Sequence, residues 1–194
     1  MWNLMKRKRS ARNRRARRRV LLLLVVILAV LLLWPSPVEL DSLTSPKAIL
    51  MEADSGEVLA EKKADDPIYP ASMTKMMTAF LTLEANPDLD QPVILPEDIF
   101  PALQAEGASM AGFRPGETAA VRDLLYGALL PSGAECCEAL AREVSGSEEA
   151  FVEQMNQKAA ELGMHSTHFC NPTGLHDPEH VSTVRDMARL LRAA

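Results

Sequence analysis

The chain has 194 residues, of which 47% are hydrophobic and 24% are charged, with 13 prolines and 3 cysteines. This composition is that of an ordinary globular protein, and it excludes disordered, collagen-like and disulfide-dense classes. The net charge of -5 conceals an asymmetry, because 10 of the 21 Lys and Arg residues lie between Lys6 and Arg19. Beyond Trp34 the other 11 basic residues face 26 acidic ones, a balance of -15. We therefore expect no nucleic-acid partner, since binding phosphates needs a basic face.

A basic block followed by an apolar run predicts a membrane signal at the amino terminus. Residues 1–19 carry the basic block, and Val20 to Trp34 are Leu, Val, Ile and Ala closed by a Trp. As a helix the run is about 22 Å long, between a signal-peptide core and a spanning helix. Because no small-x-small cleavage site follows and Trp34 has the place of an interfacial aromatic, we favour an uncleaved anchor with Pro35 onward outside the cytoplasm. The alternative is a basic arm before a core helix.

The next residues predict a linker and then a hairpin. Residues 35–46 are rich in Pro and Ser, which is typical of a linker between a membrane and a domain. Ala48–Ala53 and Val58–Lys62 are short extended runs on either side of Asp54-Ser55-Gly56, which predicts a β-hairpin. Further along, only Ala119–Val121 has any strand character. Because two strands alone form a marginal sheet, we expect this hairpin to need further strands.

Helices are predicted for most of the remaining chain. An apolar stripe at helical spacing marks Ser72–Glu84, and we expect that stripe to be buried. Ser147 and Thr183 have the place of helix N-caps, and Gly163 that of a helix end. The stripe consists of Met73, Met76, Met77, Phe80 and Leu83, and the other predicted helices are Val121–Leu130, Ala134–Val144, Glu148–Leu162 and one following Thr183.

The tetrapeptide Ser72-Met73-Thr74-Lys75 places a hydroxyl and an amine three residues apart at a helix start. Both side chains then lie on one face, within hydrogen-bond reach. A serine becomes a nucleophile when a base accepts its proton, and a lysine can do so if burial or another cation lowers its pKa. A plain helix cap at Ser72 with a solvated Lys75 explains the same residues, and the tetrapeptide alone favours that structural role.

A second hydroxyl lies on the predicted turn between two helices, in Ser132-Gly133-Ala134-Glu135. Ser132 and Glu135 fit the capping box, in which each side chain bonds the backbone N–H of the other residue. The residues by themselves therefore favour a structural role for this turn.

Histidines and cysteines near the carboxyl end raise the questions of metal binding and of disulfides. His176 and His180 have a metal-like spacing, so a zinc hydrolase has to be considered. We expect no metal, because the turn chemistry around these histidines predicts a loop and no His-Glu-x-x-His arrangement occurs. A bridge from Cys136 or Cys137 to Cys170 stays open, and burial of the thiols as small apolar side chains is favoured.

Taken in chain order, these features resemble the low-molecular-mass penicillin-binding proteins, and more narrowly the serine-type D-alanyl-D-alanine carboxypeptidases. The resemblance runs from about Lys47 to Ala194 and rests on four blocks of sequence. They are Pro70-Ala71-Ser72-Met73-Thr74-Lys75; Gly107-Ala108-Ser109-Met110 with Arg114-Pro115-Gly116-Glu117; Asp123 to Gly133; and Phe169-Cys170-Asn171-Pro172-Thr173-Gly174-Leu175 with Ser182 to Ala188. Four blocks in order are more specific than the tetrapeptide, and they reverse the preference for structural roles.

The resemblance implies a β-lactamase/transpeptidase-like α/β fold over residues 47–194, with an antiparallel sheet flanked by a helical subdomain. It also implies that Ser72 attacks the penultimate D-Ala carbonyl of a peptidoglycan stem peptide while Lys75 takes its proton. Ser132 would open the family's Ser-x-Asn motif and relay a proton to the departing D-Ala. Gly133 and Ala134 would follow as substrate-binding positions. No cofactor is implied, β-lactams would trap Ser72, and the domain would lie outside a bacterial cell membrane.

Two departures from the family pattern affect these expectations. Ala134 stands at the motif's Asn position and has no amide to orient Lys75. The 194 residues contain no Lys-Thr-Gly or Lys-Ser-Gly. We expect that motif and the missing strands to lie beyond Ala194, which would make this chain carboxyl-terminally truncated and inactive by itself. The alternatives are a serine β-lactamase of the same fold and a non-catalytic cell-wall binding protein.

Overall fold

The computed structural model describes Leu40, residues 42–85 and residues 87–194. The basic segment 1–19, the apolar run 20–34 and residues 35–39 of the expected linker lie outside the described residues. Among the helices of the described part, none combines the length and the apolar character needed to cross a membrane. The elements that follow all belong to the unit Glu39–Ala194.

Two separate antiparallel strand pairs are present in the described residues. β1 (Ala48–Met51) and β2 (Val58–Lys62) form the predicted hairpin, with Ala48 opposite Lys62. β3 (Pro92–Ile94) pairs with β4 (Thr118–Ala120). The strand character near Ala119 is thus confirmed. β3 was not predicted, because three residues beginning with Pro are too short to show alternation.

Helices make up most of the rest of the described chain. Ser147 and Thr183 cap two of them as predicted, accepting the N–H groups of Ala150 and Asp186 at 3.1 Å each. One helix was not predicted, the seven-residue α2, which is too short to show a clear helical period. The helices are α1 (Lys75–Glu84), α2 (Ile99–Ala105), α3 (Val121–Leu129), α4 (Ala134–Ser145), α5 (Glu148–Glu161) and α6 (Val184–Ala193).

The start and the buried face of α1 differ from the prediction. A 3-10 turn over Ala71–Thr74 precedes α1, so the regular helix begins only at Lys75. Met73 and Leu83 of the predicted stripe are 39% and 52% exposed, so that part of the prediction is wrong. The buried face holds polar side chains as well as apolar ones, among them Lys75, Thr78 and Thr82. Hydrogen bonds to neighbouring backbone permit this burial.

α4 lies between the two apolar clusters of the fold. Its residues Ala134–Ala141 are all buried, and most are Ala or Cys, whose small side chains let neighbouring elements approach closely. One cluster packs Leu140 with residues of α2, α3 and the β3–β4 pair. The other packs Ala141 with residues of α1, α5 and α6. The amino end of α4 is thereby held beside the start of α1.

Candidate active site

Ser72 and Lys75 come together at the junction of the 3-10 turn and α1. Ser72 is exposed, whereas Lys75 is buried, with 5% of its surface accessible. Lys75 Nζ lies 3.2 Å from Ser72 Oγ and donates a second hydrogen bond to the carbonyl oxygen of Thr173 at 2.6 Å. The amine is therefore directed at the hydroxyl from inside the protein.

The surroundings of Lys75 shift its pKa toward the uncharged form. Burial lowers the pKa of Lys75, because a charged ammonium loses solvation there. The nearby Cys137 and the Glu135 carboxylate act in the opposite direction. Burial raises the pKa of the Cys137 thiol to about 12, so this side chain is neutral at physiological pH and offsets little. A neutral amine at this position can accept a proton from Ser72.

Ser132 approaches Ser72 from the turn before α4. Its Oγ donates a hydrogen bond to Ser72 Oγ at 2.8 Å. Its backbone has φ +65, in the left-handed region that costs a non-glycine residue free energy and that is frequent at functional sites. The strained turn places the Ser132 hydroxyl against Ser72 Oγ rather than in a helix cap.

The capping box predicted for Ser132 and Glu135 is wrong. α4 has Gly133 as its N-cap, with no side-chain hydrogen bond to the cap. The Glu135 side chain is fully buried, and its Oε1 accepts the backbone N–H groups of Ala111 and Gly112 at 2.7 and 2.9 Å. A buried carboxylate needs strong donors, and the segment before β4 supplies two of them.

Gly133 and Ala134 connect this turn to the segment around Ser109. A Cβ on Gly133 would lie 2.6 Å from Ala111 Cβ and 2.9 Å from the Gly127 carbonyl oxygen, so only glycine fits there. Ala134 is 2% exposed, and its N–H donates to the carbonyl oxygen of Ser109 at 2.8 Å. Its methyl group provides no hydrogen bond to Lys75, and the Thr173 carbonyl supplies one instead.

The loop 171–175 is built to present that carbonyl. Asn171 Oδ1 accepts three hydrogen bonds, from Thr173 N, Thr173 Oγ1 and Gly174 N, at 3.1, 2.9 and 2.7 Å. Thr78 Oγ1 of α1 donates to the Pro172 carbonyl at 2.6 Å. Sequence reasoning missed the role of Thr173, because a main-chain carbonyl has no residue-type signature. The Asn-Pro-Thr-Gly turn was the available signal.

His180 connects the 3-10 turn before α1 to the chain around Cys170. Its Nδ1 accepts the N–H of Cys170 at 3.2 Å, and its Nε2 lies 2.8 Å from Thr74 Oγ1. Burial lowers the pKa of His180 to about 4, so the ring is neutral and its Nε2–H donates to Thr74. In the part of the chain that the structure describes, no three His, Cys, Asp or Glu side chains are grouped to hold a metal ion.

The three cysteines are free thiols. Cys136 and Cys137 are buried and Cys170 is partly exposed, so the bridge to Cys170 that the sequence left open is not formed. The favoured alternative, burial as small apolar side chains, is confirmed for Cys136 and Cys137.

Comparison with known proteins adds independent findings. Residues 35–194 match the peptidase S11 family, described as D-alanyl-D-alanine carboxypeptidase. The chain is 43% identical over 145 residues to the D-alanyl-D-alanine carboxypeptidase DacF of Bacillus subtilis, covering 73% of this chain and 36% of DacF. It is 40% identical over 164 residues to DacC of Escherichia coli, covering 80% of this chain and 40% of DacC. It thus spans less than half the length of these two curated relatives.

Solved structures agree in fold. The Streptomyces K15 DD-transpeptidase superposes with a TM-score of 0.75 at 31% identity, over 80% of this chain and 62% of that one. Penicillin-binding protein 6B from Escherichia coli has a TM-score of 0.75 at 30% identity, over 82% of this chain and 52% of that one. The expected transpeptidase-like α/β fold is confirmed.

Proposed function

Because the chain belongs to the D-alanyl-D-alanine carboxypeptidase family, we propose that the protein is a serine-type enzyme removing the terminal D-Ala of peptidoglycan stem peptides. Its role would lie in cell-wall biogenesis and remodelling. The observation that carries the proposal is the position of Ser72 Oγ, 3.2 Å from Lys75 Nζ and 2.8 Å from Ser132 Oγ. The proposed base and the proposed proton relay both lie within hydrogen-bond distance of the proposed nucleophile.

The first half of the reaction forms an ester on Ser72. As Ser72 Oγ attacks the carbonyl carbon of the penultimate D-Ala, its proton passes to the neutral amine of Lys75. The bond between that carbon and the terminal D-Ala nitrogen then breaks, and the leaving nitrogen takes up a proton. Ser132 is placed to relay this proton, because its hydroxyl already contacts Ser72 Oγ. Water finally hydrolyses the ester and restores the free serine.

Two features of the fold prepare Lys75 for this role. Burial lowers its pKa, which raises the neutral fraction of the amine at physiological pH. The Thr173 carbonyl accepts one N–H of the amine and so holds Nζ facing Ser72. Without the amide that the family has at the position of Ala134, this carbonyl is the contact that orients the base.

Labelling with a fluorescent penicillin tests the proposal. When the protein is expressed together with the Lys-Thr-Gly segment that we expect beyond Ala194, the wild type should take up one label on Ser72, Ser72→Ala should take up none, and Ser132→Ala should react about 100-fold more slowly. Ser55→Ala is the matched control, since Ser55 lies in the exposed turn of the hairpin and should label normally. Label that persists in Ser72→Ala would contradict the proposal. Rapid release of hydrolysed penicillin, in place of a stable adduct, would indicate a β-lactamase.

We propose in addition that Val20–Trp34 anchors the protein in the bacterial cell membrane. Residues 1–19 would stay in the cytoplasm, and residues 47–194 would lie outside it beyond the linker 35–46. The support is the basic block followed by the unbroken apolar run. A reporter that is active only outside the cytoplasm, fused after Pro46, should be active. It should be silent when Leu24→Arg and Leu28→Arg interrupt the run, and a silent unaltered fusion would contradict the anchor.

A further inference from the structure

A cleft lies beside the loop 171–175, three residues of which line it. It has a volume of about 320 Å³ and is lined by residues of α2, α4 and the segment 170–177, with Glu148 at the start of α5. Neither the two serines nor the lysine of the candidate active site line it. Its walls are acidic, with Arg142 as the basic side chain among them, and Arg142 is paired with Asp98 at 2.9 Å. The cleft therefore has a negative field that its own cation does not neutralise.

Glu138 on α4 is an unsatisfied group in this cleft. Its side chain is buried, with 6% of the residue exposed, and its Oε2 has no hydrogen-bond partner among the described residues. Burial raises the pKa of Glu138 to about 8, and the neighbouring Glu148 adds to the shift. A buried carboxyl group without a partner costs free energy, and ionising it among other acids costs more. A cation bound here would remove both costs.

We propose that this acidic cleft binds a small organic cation through a primary ammonium group that pairs with Glu138. A bare metal ion is disfavoured, because no three suitable ligands are grouped for it in the described part of the chain. An ammonium group needs fewer fixed ligands, since it donates three hydrogen bonds and responds to the summed negative field. Ile99 and Leu103 also line the cleft, so the carbon chain of an alkylamine would lie against apolar side chains.

Binding of this kind couples to protonation. An ammonium partner stabilises the ionised form of Glu138, so below pH 8 the ligand displaces a proton. Affinity should therefore rise about tenfold per pH unit between pH 6 and 8 and then level off. The other charged or titratable groups around Glu138 are Asp98 and Glu106 at the ends of α2, Arg142 on α4, Glu148 and Glu149 on α5, and His176 and Asp177 on the loop.

Calorimetry on the full 194-residue chain tests the site without relying on enzyme activity. The probe is Nα-acetyl-lysine methylamide, and its control is the same molecule acetylated on the side-chain nitrogen, which differs in lacking the charge. We expect the charged probe to bind at least about tenfold more tightly. Heats measured in two buffers of different ionisation enthalpy should show release of close to one proton at pH 7. Equal binding of the two probes, no binding of either, or no proton release would overturn the proposal.

Two variants test whether the charged probe binds at Glu138. Glu138→Gln keeps the shape of the side chain and should lose at least about tenfold in affinity at pH 8, together with the pH dependence. Glu149→Gln is the control, because Glu149 is exposed and does not line the cleft, and it should change affinity less than about twofold. Unchanged affinity in Glu138→Gln would refute the assignment. The proton count on the wild-type chain is decisive even if that variant folds poorly.

Discussion

Replacing Gly174 by alanine should displace the backbone that carries Ser72. Gly174 has φ +78, and an ideal Cβ on it would lie 1.9 Å from the carbonyl oxygen of Ala71 and 3.1 Å from the nitrogen of Ser72. An ordinary contact between carbon and oxygen is about 3.3 Å, so the loop and the 3-10 turn must separate by more than about 1 Å. The added methyl group therefore acts directly on the residue before Ser72.

The loss of stability expected for Gly174→Ala is the sum of two free-energy costs. A non-glycine residue in the left-handed region costs about 1–2 kcal/mol, and forcing an extra methyl group into a packed contact costs about 1–3 kcal/mol. Gly174→Ala should thus destabilise the protein by about 2–5 kcal/mol. Because a displacement of about 1 Å at a reacting group can reduce rate 100-fold, acylation of Ser72 should fall by about that factor in the fraction that remains folded.

Gly146→Ala separates these two costs. Gly146 has φ +81 at the end of α4, and nothing lies within 4 Å of its ideal Cβ, so this variant has the backbone cost alone. Urea unfolding gives the two free energies, and penicillin labelling, corrected for the folded fraction, gives the two acylation rates. Equal destabilisation by the two variants, or normal acylation in Gly174→Ala, would refute the reasoning.

Three further predictions concern titration. Burial lowers the pKa of Lys75, so the rate of acylation by penicillin should rise with pH along a limb below 10.5, and a limb at 10.5 in a stopped-flow profile would contradict this. Burial raises the pKa of Glu138 from 4.5 to about 8, so the wild type loses stability as pH rises through that window. Glu138→Gln should match the wild type at pH 4.5 and exceed it by up to about 5 kcal/mol above pH 8 in urea unfolding. Burial lowers the pKa of His180 from 6.5 to about 4, so its contribution to stability is lost as pH falls through that window. His180→Gln can keep both hydrogen bonds without titrating. Between pH 7 and pH 4 the wild type should therefore lose about 3 kcal/mol of unfolding free energy relative to this variant. The same difference in unfolding free energy between the two proteins at pH 4 and at pH 7 would exclude this.

Features that depend on near neighbours were predictable. The hairpin β1–β2 follows from two extended runs around a turn tripeptide, and the caps at Ser147 and Thr183 follow from side chains that bond a backbone N–H three residues away. The pairing of a serine with a lysine at a helix start has the same local origin, since both residues share one turn. Such interactions are decided within a few residues of chain, where residue type and spacing carry the information.

The amino end of α4 shows where local reasoning fails. Glu135 fits a capping box with Ser132, yet its carboxylate bonds the N–H groups of Ala111 and Gly112, which lie 24 and 23 residues away. Packing of α4 buries Glu135 completely, and a buried carboxyl group accepts hydrogen bonds from whichever donors the surrounding fold supplies. The capping pattern applies to an exposed helix end. Here tertiary burial brings the N–H groups of Ala111 and Gly112 to the Glu135 carboxyl group, and they take the place of the N–H of Ser132.

Residue types and their spacing predicted the pairing of Ser72 with Lys75, most of the helices and the family resemblance, because each of these depends on short stretches of chain. The contacts that surround these residues depend on tertiary packing. Ser132 reaches Ser72 across 60 residues of chain, and the Thr173 carbonyl reaches Lys75 across 98. The unpaired carboxyl group of Glu138 likewise exists only because α4 is buried between its neighbours. Contacts over such separations depend on how the elements pack, and desolvation depends on the whole fold, so neither is encoded in a local pattern.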